Sequence, residues 1–418
     1  MHQAIRRAPF FVFLCAVVVT LVFQAMFPTE VRDRQGSDYV SYYRPTANSL
    51  LAGRGYSTPS GSVQTRIPPG YPFLLAAVQL LTRPAGLSDQ EAVRLLMTLS
   101  IGLGAAVIFL IARMIWDPLS ALVPSILWMT CPFTQFLTLQ LNSDVPFMPL
   151  YYATVGLFLH AILNGAASPL PFFLTGLLAG VVMLIRPIAI GISGLFAVLL
   201  WFALKGRPRP LRATLAAWIL LGTAVAVLPW EAWLYAKTGR FILLSDAGSS
   251  TLREGWMFGV REGQPEGRQV VGEDVWDLMH EFANAENGGS PGTILHILLR
   301  ETRRRPGAVI HLVCLKLARC WYGTDSLRFE RSILLIQSFY LPLLLFAGWK
   351  AWRSGASGRL ATLCIGSQIA CFWGMTFLVI PLLRYMTPVE GLAFVLVPAA
   401  WPRPRKDARG PKVLEAIS

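Results

Sequence analysis

Charge is what this sequence lacks most. Asp, Glu, Lys and Arg make up 14% of its 418 residues, whereas 54% are hydrophobic. A soluble domain carries about 25% charged residues, so an ordinary water-soluble fold is excluded. Apolar runs of 15 to 24 residues recur along almost the whole chain, and a helical bilayer span needs about 20. Period-two alternation is missing, which excludes a transmembrane β-barrel. Acids are scarcer than bases, giving a net charge of +14. The bases gather in short loops and the C-terminal tail, the bias of a membrane protein and not of a nucleic-acid binder.

Familiar catalytic signatures are absent too. There is no GxxxxGK[ST] and no GxGxxG after a strand, so neither a P-loop nor a dinucleotide fold is expected. HEFAN (280–284) is not HExxH, no His/Cys cluster has zinc spacing, and no DxD occurs. The six cysteines form no CxxC and lie mostly in apolar runs. They read as buried thiols, with a Cys314–Cys320 bridge left open. We see no internal repeat and no soluble catalytic domain.

What is present is an all-α polytopic membrane protein. Spans are expected at about 8–28, 93–113, 118–137, 145–163, 169–186, 188–204, 212–234, 332–349, 360–382 and 386–401. The first follows Arg6 and Arg7 and lacks a small-residue cleavage site, so it reads as an uncleaved signal anchor. PPGYPFLLAAVQLL (68–81) is short and proline-rich, suiting an interfacial or re-entrant helix. If it does not cross, Arg6, Arg7, Arg113, KGRPRPLR (205–212), Lys350, Arg353, Arg359 and RPRKDARGPK (403–412) all fall inside. The positive-inside bias thus favours ten spans with both termini cytoplasmic. The resulting organisation is a membrane module over 1–235 with an outer loop at 29–92, an extracytoplasmic loop at 236–331, C-terminal spans over 332–401 and a basic tail at 402–418. Within the long loop, REGQPEGR (261–268) reads as partly ordered chain, and PGAVIHLVCLKLARCWYG (306–323) as a helix lying in the interface.

This threading puts Asp38, Arg66, Asp144, Arg186, Arg384 and Tyr385 on one membrane face. Charges at membrane depth cost at least about 2.5 kcal/mol unless paired or hydrated, so the gathering predicts a polar cavity for an anion. Each residue alone has a plainer account. Arg186 and Arg384 border helix ends, where long side chains snorkel. Asp144 suits a helix N-terminus, and Asp38 a solvated loop.

The order of these pieces resembles the GT-C glycosyltransferases, in the branch of protein O-mannosyltransferases, lipid A aminoarabinose transferases and RgtA/B/C/D-like sugar transferases. The resemblance is carried by SDYVSYY (37–43), LAGRGYS (51–57), TRIPPGYP (65–72), Arg94, NSDVPFMPLYY (142–152), GLLAGVVMLIRP (176–187), LPWEAWLYAKTGRFILLS (228–245) and LRYMTPVEG (383–391). The chain departs from the family where Tyr39 follows Asp38 in place of a second acid, and where Glu231 and Ala232 stand near a usual Arg-Asn.

The resemblance implies a sugar transferase of a bacterial-type inner membrane, with a polyprenyl-phosphate-linked sugar as donor and a glycan, lipid or protein hydroxyl as acceptor. It implies Asp38 as general base with inversion at the anomeric carbon, and Arg66, Arg186 and Arg384 on the donor phosphate. Asp144, Tyr42, Tyr43, Tyr71 and Tyr385 would meet substrate, as would Tyr56, although interface anchoring is an equal account of the tyrosines. No metal ligands are nominated and no cofactor is required, with a divalent metal left open. The competing class is a lipid or glycan transporter, although repeated intramembrane charge pairs and paired broken helices are missing.

Overall fold

The computed structural model describes residues 2–32, 35–165, 168–257, 268, 271–285 and 290–401. Among them there is no strand, and a single antiparallel bridge joins Ser57 to Val63. The basic tail and most of REGQPEGR lie outside the described residues.

In chain order the helices are α1 (His2–Ala25), α2 (Thr29–Arg32), α3 (Arg44–Leu51), α4 (Gly70–Thr82), α5 (Asp89–Ile115), α6 (Leu122–Thr130), α7 (Pro132–Leu137), α8 (Asp144–Leu163) and α9 (Leu170–Ile185). There follow α10 (Ile192–Ala203), α11 (Arg209–Thr238), α12 (Ala247–Met257), α13 (Glu273–Ala283), α14 (Pro291–Arg304), α15 (Pro306–Arg319), α16 (Glu330–Arg353), α17 (Ala356–Leu378) and α18 (Leu383–Ala393).

Among the described residues six helices, α1, α5, α8, α11, α16 and α17, are long and apolar enough to cross a membrane, so this is an integral membrane protein. The other four expected spans are shorter or broken. The 118–137 run is split at Cys131, whose ψ of 117° is extended. Pro132 is the reason, because a proline disfavours the helical region for the residue before it. The 386–401 run leaves the α-helix after Ala393 and continues as a 3₁₀ turn through Phe394–Ala400. The proline-rich run at 68–81 is helical from Gly70 onward, as α4.

The chain divides into two compact units. The first takes Met1–Ser245, Leu343–Gln368 and Pro388–Ser418, and the second Asp246–Pro342 and Ile369–Thr387. In the first, α9 and α11 approach backbone to backbone. A Cβ at Gly176 would collide with the Ile219 carbonyl, and one at Gly222 with that of Phe173. Small residues permit this closeness, so the glycines of GLLAG do packing work.

The described part of 236–331 is mostly helical. Helices α12 to α15 surround a core of Trp256, Val275, Leu278, Phe282, Ile297 and Leu312. α15 is amphipathic in the opposite sense to the expected interfacial helix. Its Lys316 and Arg319 are buried, at 0% and 4% exposure. Arg319 donates to both oxygens of Glu330, at 2.9 and 2.8 Å. The Cys314–Cys320 bridge does not form, and all six cysteines are free thiols.

Candidate active site

The site grows from three chain breaks in the first unit. Pro187 prevents α9 from continuing, so Arg186 leaves it in extended backbone at φ −144°, ψ 117°. Leu141, at φ 54°, turns the chain sharply before α8, and Asp144 is then the first residue of that helix. A strained non-glycine residue of this kind persists only where its surroundings hold it. Here the Tyr71 hydroxyl donates to the Leu141 carbonyl at 2.6 Å. The third break is a π-helical turn over Tyr39–Tyr43, opened by Asp38 and followed directly by α3. Such turns re-aim side chains and are frequent at functional sites.

These breaks bring together five of the residues singled out in the sequence. Asp144 and Arg186 form an ion pair that is almost wholly buried, with side-chain exposures of 4% and 12%. The Arg186 guanidinium also stands over the Phe147 ring, 6.0 Å from its centre. Tyr43 lies beside the pair, its hydroxyl 3.3 Å from Ser143 Oγ. Tyr71 closes the other side, edge-on to Tyr43 at 4.8 Å between ring centres. Burial pushes the Tyr43 phenol up to about 12, against the pull of Arg186, and the negative charges of Asp38 and Asp144 raise it further. The charges of Asp38, Asp144 and Arg186 thus all act on Tyr43.

Gly70 makes this closeness feasible. A Cβ there would press on Ile185 and on the Leu184 carbonyl at 2.7 Å, so only glycine lets α4 meet the end of α9. Tyr42 and Arg66 flank the cluster. The Arg66 guanidinium lies 5.2 Å from the centre of the Tyr42 ring, and its backbone N–H donates to Gln64 Oε1 at 3.0 Å. Asp38 is half-buried and Arg66 likewise.

Arg384 and Tyr385 belong to the second unit. There Arg384 Nη2 donates to the Tyr385 hydroxyl at 2.9 Å, and Nη1 lies 3.7 Å from Asp325 Oδ2. Sequence reasoning did not single out Ser143, Phe147 or Asp325. Ser143 and Phe147 sit within the quoted NSDVPFMPLYY, so the signal was present but was read only at its acid. The described residues do not assemble a metal site. No three His, Cys, Asp or Glu side chains come together, and the Asp144 carboxylate is already engaged by Arg186.

No curated protein matches the chain. Among solved structures it resembles the archaeal oligosaccharyltransferase AglB from Archaeoglobus fulgidus in complex with an inhibitory peptide and a dolichol-phosphate. That match has a TM-score of 0.56 at 14% identity and covers 94% of this chain and 50% of the other. The same organism's oligosaccharyltransferase tethered with an acceptor peptide gives a TM-score of 0.58 at 12% identity, over 95% of this chain and 50% of that one. The chain thus spans about half the length of these relatives. Its fold is that of the GT-C glycosyltransferases. Residues 66–233, which hold Arg66, Tyr71, Asp144 and Arg186, match the dolichyl-phosphate-mannose-protein mannosyltransferase family.

Proposed function

We propose that this integral membrane protein is a glycosyltransferase that moves a sugar from a polyprenyl-phosphate donor to an acceptor hydroxyl on the extracytoplasmic face of a bacterial-type inner membrane. The observation that carries this reading is the buried Asp144–Arg186 ion pair beside Tyr43, at the end of the turn that Asp38 opens. A buried arginine and an acid beside a half-buried carboxylate offer the two things an inverting transfer needs.

In this mechanism the acceptor oxygen attacks the anomeric carbon as Asp38 takes its proton. The bond from that carbon to the phosphate oxygen breaks on the opposite side, and polyprenyl phosphate leaves as an anion. General-base help is worth about 10²–10⁴ in rate when the carboxylate is within hydrogen-bond reach. Negative charge grows on the leaving phosphate, where Arg66 and Arg186 face it. Losing one such donor costs about 3–4 kcal/mol in the transition state. A guanidinium has five N–H donors, more than one carboxylate accepts, so Asp144 can orient Arg186 without consuming it. Tyr42 and Tyr43, each half-buried, offer ring faces to the sugar, and the fully buried Tyr71 backs Tyr43. The mechanism uses groups of the first unit alone, so Arg384 and Tyr385 have no step in it.

The test is release of polyprenyl phosphate by purified protein from a panel of polyprenyl-phosphate sugars. Asp38→Asn is expected to abolish release while leaving membrane insertion and thermal stability intact. Release by Asp38→Asn at the wild-type rate would remove Asp38 from the general-base role.

A further inference from the structure

LAGRGYS (51–57) has no role in the mechanism above, yet it forms the rim of a cavity of about 780 Å³ in the first unit. That volume falls in the ~300–1,000 Å³ range of ligand sites. Its walls are Phe73 of α4, Val181 and Leu184 of α9, and Trp230 and Trp233 of α11. The two tryptophans stack with ring centres 5.0 Å apart and planes within 19°. Two cations, Arg54 and Lys237, line the cavity, and no acidic side chain does. Both cations are exposed, as are Phe73 and Val181, so the space is open to the surroundings. Gly55 and Gly61 also line it. Both have positive φ, and a Cβ at either would meet nothing within 4 Å.

Tyr56 also lines this cavity. It is buried, donates to the Ile67 carbonyl at 2.9 Å and stands edge-on to Trp230 at 5.0 Å. Tyr42 and Tyr43 pack against the same cluster of residues. None of the residues placed in the mechanism lines the cavity. Snorkelling explains a lysine or an arginine at a membrane surface. It does not explain a cavity between them walled by aromatic and aliphatic side chains.

We propose that this cavity binds a phospholipid of the surrounding bilayer with an anionic headgroup. The phosphate-bearing head lies between Arg54 and Lys237, and the upper part of an acyl chain lies against Phe73, Leu184 and Trp233. Charge complementarity selects the head, and the apolar walls select an amphiphile over a free anion. The assignment requires only that the protein sits in a membrane, so it stands apart from the sugar-transfer reading.

The test uses the full chain in phosphatidylcholine nanodiscs doped with phosphatidylglycerol or phosphatidylcholine bearing a photoactivatable acyl chain. After irradiation, labelled peptides are located by mass spectrometry. Each basic side chain near an anionic head contributes about a factor of five, so phosphatidylglycerol is expected to label the peptides holding Phe73, Trp230 and Trp233 roughly 20-fold more than phosphatidylcholine. The double variant Arg54→Ala/Lys237→Ala should bring the two lipids to the same level. Val181→Trp, which fills the cavity and leaves both cations in place, should remove the label from these peptides. Equal labelling of the wild type by the two lipids would overturn the proposal, as would label that survives in both variants. Displacement of the label by an excess of polyprenyl phosphate would also overturn it, because the cavity would then belong to the donor.

Discussion

Both units bury cations, and two of these, Arg186 and Lys316, are satisfied differently. In the first, Arg186 is met by a full opposite charge, the carboxylate of Asp144. In the second, Lys316 is 0% exposed and meets no acid. Its Nζ instead donates to the backbone carbonyl of Gly255 and, at 3.0 Å, to that of Val379. It also sits over the Trp256 and Phe377 rings, 4.6 and 5.7 Å from their centres. Gly255 lies in the last turn of α12, and Val379 directly follows α17. Carbonyls at helix C-termini lack intrahelical donors and carry partial negative charge, so one ammonium satisfies two helix ends. The comparison separates an ion pair between two side chains from an ammonium that caps two helix ends.

The largest expected effect breaks the first arrangement. Asp144→Ala leaves Arg186 buried without its counter-charge, and removing one partner of a buried pair costs about 3–5 kcal/mol. Thermal unfolding in detergent checks this. The double change Asp144→Ala/Arg186→Met should recover most of the loss, because no uncompensated charge remains, but should not restore transfer. Failure of the double variant to recover stability would mean that the acid is needed for the shape of the α8 start and not for the charge.

The second effect is smaller and has a pH signature. Lys316→Met removes the charge but strands the Gly255 and Val379 carbonyls, at a cost of roughly 1–3 kcal/mol. Burial lowers the Lys316 ammonium from 10.5 to about 7. The unfolded chain therefore holds this proton over a window in which the folded chain has released it. Stability contributed by Lys316 is present above pH 10.5 and is lost as pH falls through about 7. Wild type minus Lys316→Met, followed by thermal unfolding from pH 7 upward, should show that rise. A flat difference would mean that the carbonyls and rings hold the ammonium charged as firmly as water does.

Much of the first unit was legible in the sequence because the signals were local. Long apolar runs gave α1, α5, α8 and α11, and Pro187 placed Arg186 at a helix end. The break at Cys131 was local as well, but it was masked by an apolar run that continues across Pro132. The second unit was poorly legible for a physical reason. Lys316 and Arg319 interrupt an apolar helix, a pattern that normally marks the polar face of a surface helix. Their partners, two carbonyls and Glu330, leave no periodic trace. The pairing of Asp144 with Arg186 was similarly hidden. Both acid and base were singled out, but nothing in their spacing says that each is the other's partner.

The smallest effect sharpens the comparison. Tyr43→Phe removes the long hydrogen bond to Ser143, at 3.3 Å, and should cost about 0.5–1 kcal/mol, since a neutral hydrogen bond contributes little net stability. Its pH signature runs opposite to that of Lys316. Burial raises the Tyr43 phenol from 10.0 to about 12, so the folded chain keeps a proton that the unfolded chain loses. Stability contributed by Tyr43 is fully present below pH 10.0 and is lost as pH rises through about 12. Wild type minus Tyr43→Phe should fall across that interval, where wild type minus Lys316→Met has already reached its upper level. Hydrogen exchange read separately on α3 and α15 assigns each slope to its unit. A falling slope on α15, or none on α3, would mean that Tyr43 is not enclosed by the charges of Asp38, Asp144 and Arg186 as the first unit's packing requires.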